Sequence, residues 1–119
     1  TVMRETERQV QVAIAQYLDV RGLMWYAVPN GGNRNLITAK KLKAEGVKAG
    51  VPDLCIIKDG MAFFLEIKRP KSTTGGKGRL SPAQKEMIER IEQAGGEVKV
   101  VYSVADVIEA CIDWQINVL

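Results

Sequence analysis

The sequence predicts an α/β fold, a central mixed sheet flanked by helices, and three observations carry that prediction. Two apolar, β-rich runs, 54–58 and 61–68, meet at Asp59-Gly60. An Asp-Gly pair between such runs is the strongest short-range signal of a hairpin with a two-residue type I′ turn. Helical and strand patterns then alternate along the chain in the order α β (α) β β α β α. Finally, both sides of the hairpin are apolar: Leu54, Ile56, Phe63, Leu65 and Ile67 share one side, and Cys55, Ile57 and Phe64 the other. Strands apolar on both sides belong to a sheet with helices over both faces.

Each element has its own local cause. Val10, Ile14, Tyr17 and Leu18 follow the spacing of one apolar helix face, which predicts a helix over about 6–20 with Gly22 near its C-cap. Residues 23–28 (LMWYAV) read as a strand, and 29–33 (PNGGN) as a loop. Asn35 or Thr38 caps a short basic helix that ends near Glu45-Gly46, and a glycine-spaced loop, 46–50, leads into the hairpin. Residues 69–79 hold Gly, Ser and Thr but no large apolar side chain, so this stretch is expected to be mobile and to order on a phosphate backbone. Ser81-Pro82-Ala83-Gln84 opens the next helix, with Ser81 at the N-cap, Pro82 at N1 and Gln84 at N3 of a capping box. Gly95-Gly96 ends it. Residues 97–102 (EVKVVY) form a strand, and Ser103 caps a last helix through Val104, Val107, Ile108 and Cys111.

At 119 residues, the chain is expected to be one domain, 1–119, with a single core. It has no run of 18 apolar residues and no signal-peptide pattern. The apolar settings of Cys55 and Cys111 suit reduced core thiols, so a cytoplasmic location and no membrane partner are expected. The chain contains no histidine. That excludes Ser-His-Asp triads, His-ligated zinc and His-dependent nuclease chemistry. Catalysis here runs on carboxylates, lysine, hydroxyls or a hard metal ion.

The hairpin places three such groups together. A two-residue turn at 59–60 makes paired residue numbers sum to 119, so Asp53 lies opposite Glu66. Directly opposed residues share a face with Cβ atoms roughly 4.5–5.5 Å apart, and Lys68, two residues on, shares it too. Opposed carboxylates repel unless something positive sits between them. Mg²⁺ does this with one or two carboxylates and the oxygens of a phosphate substrate, and an adjacent lysine can then orient water or steady the phosphate. The alternative is a frayed hairpin end with a surface Glu66–Lys68 pair. Glu7 and Gln11 stand on or beside the apolar stripe of the first helix; either Glu7 belongs to the same site, or it favours the helix N-terminus electrostatically.

Charge is unevenly placed. Residues 34–48 carry Arg34, Lys40, Lys41, Lys43 and Lys48 against Glu45 alone, and residues 68–79 carry Lys68, Arg69, Lys71, Lys77 and Arg79 against no acid. The two segments hold 10 of the 17 basic residues and 1 of the 14 acids, so the remainder is at −6 on a chain of net +3. A basic footprint on an acidic body suits a polyanionic partner.

Taken in order, Glu7 with Gln11, 28–32 (VPNGG), 45–54 (EGVKAGVPDL), 66–70 (EIKRP) and 80–85 (LSPAQK) resemble the VRR-NUC domains of the PD-(D/E)xK nuclease superfamily over about residues 5–112. The resemblance implies a restriction-endonuclease-like αβββαβ core and a metal-dependent phosphodiesterase acting on DNA. It implies that Asp53, Glu66 and the Ile67 carbonyl hold Mg²⁺ or Mn²⁺, with Glu7 completing the site or standing behind it. Glu5 precedes the same helix. Lys68 would activate water or steady the scissile phosphate. Gln84 would orient Lys68 or contact DNA, although the capping box accounts for it without catalysis. Arg34, Lys40, Lys41, Lys43, Lys48, Arg69, Lys71, Lys77 and Arg79 are the expected DNA contacts. Stand-alone members resemble homodimers that cut four-way (Holliday) junctions in bacterial or phage-infected cells. The alternatives are a general, flap-type or restriction-like nuclease, or a DNA-binding module. The 24–26 cluster (MWY) and the apolar tail from Trp114 serve either the core or a dimer surface.

Overall fold

The computed structural model describes residues 6–30, 36–71 and 75–116. Its elements run α1 (Glu7–Val20), β1 (Met24–Ala27), α2 (Leu36–Ala44), β2 (Leu54–Lys58), β3 (Met61–Ile67), α3 (Pro82–Gln93), β4 (Glu97–Val101) and α4 (Val104–Asp113). The four strands form one mixed sheet in the order β1-β2-β3-β4. The pairs β1–β2 and β2–β3 are antiparallel, and β3–β4 is parallel. A parallel neighbour needs a crossover, and α3 supplies it.

The caps follow local chemistry. Ser81 accepts from the Gln84 amide, and the Gln84 side chain accepts from the Ser81 amide. Thr6 and Gln9 form a second capping box, which the sequence reading missed. Ser103 caps α4, while Thr38 lies inside α2 rather than at its start. Asp59 and Gly60 have φ of 51° and 78°, as a type I′ turn requires. The observed pairs run from Lys58↔Met61 to Leu54↔Leu65, the expected register.

Leu54, Ile56, Phe63, Leu65 and Ile67 lie on one face beneath Val10, Ile14, Leu18, Val107, Ala110 and Cys111 of α1 and α4. Burying each large aliphatic side chain contributes roughly 1.5–3 kcal/mol. Trp25 packs on this core and donates from Nε1 to Asp19, 2.8 Å away. Trp114 stacks at 4.9 Å on Phe63 and Ile116 is buried, so these two tail residues serve the core; Val118 and Leu119 lie outside the described residues.

The second face differs from the expected even cover. α3 packs against β4, while on the β1–β2 side Met24, Tyr26 and Ile57 are exposed and Cys55 beside Tyr26 is buried. The described part of the 69–79 stretch makes contacts of its own. Arg69 donates from its guanidinium to the Gly76 carbonyl, Gly78 donates to the Arg69 carbonyl, and Lys77 lies over the Tyr102 ring. Backbone hydrogen bonds and a cation–π contact replace the missing apolar contacts. Among the described residues, no helix is long and apolar enough to cross a membrane.

Candidate active site

The second face turns polar at the end of the sheet away from the hairpin turn. Asp53 sits one residue before β2, and its backbone is held by Val28, whose amide donates to the Asp53 carbonyl at 2.8 Å. Its side chain reaches across to β3, where Oδ2 accepts from the Ile67 amide at 2.7 Å. That bond fixes the carboxylate in orientation beside Glu66. Asn30 donates to the Val51 carbonyl and ties down the chain just before Asp53.

Glu66 is 1% exposed and Lys68 is 8% exposed, the only buried charged residues among those described. Backbone pairing with β4 places both: Glu66 lies beside Val100, and the Lys68 amide donates to the Val101 carbonyl. Burial above all, then a hydrogen bond to Asp53 and the repulsion of its charge, pushes the Glu66 carboxyl up to about 9; Lys68 opposes the rise, and Glu7 adds a smaller repulsion. Without a cation, a proton therefore sits on this carboxyl pair at neutral pH. Glu66 Oε1 is buried and has no hydrogen-bond partner. An orphaned acceptor of this kind costs about 1–3 kcal/mol, more if charged, unless something positive meets it.

A hard divalent cation fits that description: two carboxylates opposed on one face, one with an unmatched oxygen, and a lysine beside them. Glu7, exposed in the first turn of α1, is near enough to act on Glu66 electrostatically. Even so, no three acidic or cysteine side chains among the described residues gather tightly enough to hold a metal by themselves. Asp53 and Glu66 are the opposed pair, and Glu7 acts on Glu66 through its charge.

Gln84 uses its Oε1 in the Ser81 cap and lines a cleft beside the site, together with Lys43 and Lys48. Lys40 and Lys41 are exposed on α2; Lys71, Lys77 and Arg79 are exposed, and Arg69 is half-buried. Arg34 lies outside the described residues. The structure adds Asn30 and Arg90 to the surroundings. Arg90 escaped the sequence reading because its helix holds Glu86, Glu89 and Glu92 and shows no basic run.

The VRR-NUC domain model matches residues 5–105. The chain belongs to the VRR-NUC family. These are nuclease domains of the PD-(D/E)xK type, which implies DNA as the substrate. A solved structure described as a VRR-NUC domain protein superposes with a TM-score of 0.64 at 26% identity, covering 91% of this chain and 86% of that one. No curated protein matches the chain in sequence.

Proposed function

We propose that this VRR-NUC domain is a Mg²⁺- or Mn²⁺-dependent DNA endonuclease that cuts four-way junctions as a homodimer. The observation that carries the catalytic part is the buried Glu66 carboxyl, unpartnered at Oε1 and opposed by Asp53. Asp53, Glu66 and the Ile67 carbonyl would hold the cation. Bound there, a divalent ion supplies Lewis acidity toward a phosphate oxygen and lowers the pKa of water.

The chain's own groups do the rest. Asp53, pinned by the Ile67 amide, presents its carboxylate toward Glu66 in a fixed direction. Burial of Lys68 keeps its ammonium beside Glu66, where it orients the attacking water or balances charge developing on the phosphate. Preorganised groups of this kind contribute without reorganising during the reaction. Arg34, Lys40, Lys41, Lys43, Lys48, Arg69, Lys71, Lys77 and Arg79 neutralise phosphates, and Gln84 faces the strand from the start of α3. Glu7 tunes Glu66 from outside the pair.

The dimer reading is supported by the open half of the second face. Met24, Tyr26 and Ile57 are 59%, 47% and 38% exposed, and the register aligns them on one side of β1 and β2. A two-fold contact there would present two sites to two strands of a junction.

The test is cleavage of a mobile four-way junction beside a linear duplex of matched sequence, with Mg²⁺, Mn²⁺ or EDTA, and sedimentation of the free protein. Paired, metal-dependent nicks on the junction by a dimer are expected. Equal cutting of both substrates would replace junction specificity with a general nuclease, and binding without cutting would reduce the protein to a DNA-binding module.

A further inference from the structure

A large open cleft lies between α2, the 46–51 loop and the N-terminal half of α3, with a volume of about 1190 Å³. Its floor is the backbone that positions Asp53, through the Val28 and Asn30 hydrogen bonds already described. Gly50, at φ +78°, lets the loop lie directly against the backbone of Ala83 and Gln84 and closes the inner end. The walls are aliphatic, from Leu42, Val47 and Met87, and the charged groups along the cleft are Lys43, Lys48 and Arg90 against the single acid Glu86, a net charge of +2.

Helix α2 gives a second, independent reason to expect an occupant. It has nine residues, too few to be stable alone in water. None of its described side chains is buried, and Ile37 is 80% exposed. Only Leu42 of its described side chains is half-buried, so the helix face along the cleft has room for something laid against it.

We propose that the cleft holds an unpaired DNA strand next to the scissile phosphate. This rests on the nuclease reading and narrows its substrate to DNA whose strands unpair beside the cut, as in a four-way junction opened at its branch point. A duplex turns only phosphates and groove edges outward, so aliphatic walls offer it nothing, and it is nearly as wide as the molecule's 23 Å shortest extent. An unpaired strand presents bases and sugars to the walls and phosphates to Lys43, Lys48 and Arg90. The lining residues include no aromatic side chain, so bases pack without stacking and without sequence preference. Met87 adapts to different bases through its flexible thioether. Contact with the strand supplies the packing that α2 lacks.

The experiment uses the full chain in EDTA, so that binding is read without cleavage. Anisotropy of a labelled oligothymidylate is followed against salt for the wild type, for Lys43→Glu/Arg90→Glu, for Ala39→Trp, which obstructs the cleft from an exposed helix position, and for Lys58→Glu at the far end of the sheet. Hydrogen exchange of residues 39–44 is measured with and without the oligonucleotide. The double variant is expected to bind at least about ten-fold more weakly, with a slope of log K on log salt shallower by about 1.4 for two lost phosphate contacts. Ala39→Trp loses affinity with an unchanged slope, Lys58→Glu stays within about two-fold, and the amides of 39–44 gain protection. Wild-type affinity in both cleft variants overturns the proposal, as does unchanged exchange in α2. So does a result in which these variants alter only the oligomeric state, because the occupant is then a second copy. A protein that holds the oligonucleotide in the cleft but cuts nothing with any metal refutes the nuclease reading alone. One that cuts junctions while both cleft variants bind the oligonucleotide normally refutes the cleft alone.

Discussion

Replacing Glu66 by Gln makes a direct test of the buried carboxyl pair, because the two side chains match in shape and only one ionises. In the metal-free protein the Glu66 carboxyl titrates at about 9, against 4.5 for the free group. Its folded value is raised, so the stability tied to its proton is fully present below pH 4.5, falls as pH rises, and is gone above about 9. Within that window the folded protein holds one proton more than the unfolded chain, and each pH unit costs about 1.36 kcal/mol. By neutral pH the loss is about 3 kcal/mol. Gln has no such loss, although its unpaired amide takes back about 1 kcal/mol. Glu66→Gln is therefore expected to be more stable than the wild type at neutral pH by about 2 kcal/mol, roughly 5–10 °C in Tm. Near pH 4.5 the order reverses. The assay is thermal unfolding by circular dichroism in EDTA across that range. Mn²⁺ is then expected to raise the wild-type Tm in a concentration-dependent way, leave the variant unmoved, and release about one proton per bound ion at neutral pH. Parallel pH profiles for the two proteins would refute the reasoning, since they would mean that Glu66 ionises in the folded state as it does in the unfolded one.

Asp53→Asn is expected to lose at least about 10²-fold in cleavage while binding DNA in EDTA within about two-fold of the wild type; cutting at the wild-type rate would exclude Asp53 from the reaction. Gly50→Ala puts a methyl group into the Ala83 carbonyl at a backbone angle, φ +78°, that alanine resists, so chemical denaturation should register a loss of about 2 kcal/mol or more. Lys99→Ala breaks an ion pair of 2.9 Å whose partners are 40% and 61% exposed, and its stability should stay within about 0.5 kcal/mol of the wild type.

What the sequence determined by itself was local or periodic. The Asp59-Gly60 turn has one preferred geometry, and with a two-residue turn every pairing from Lys58↔Met61 to Leu54↔Leu65 follows by counting. Helix caps at Ser81 and Ser103 were legible because a cap needs only residues three apart. The same counting set Asp53 against Glu66, and the family signature agreed with it. Tertiary structure decided what depends on distant segments meeting. Glu66 became nearly inaccessible because β4 and the surrounding chain close over it, and burial more than its neighbours raises its pKa. Trp114 and Ile116 went to the core, while Met24 and Tyr26 stayed outside, although all four are large and apolar by sequence. Arg90 joined Lys43 and Lys48 at one cleft from a helix whose local charge is acidic. Periodicity tells which side a residue faces along its own element. It carries no information about which other element, or how much solvent, that side will meet.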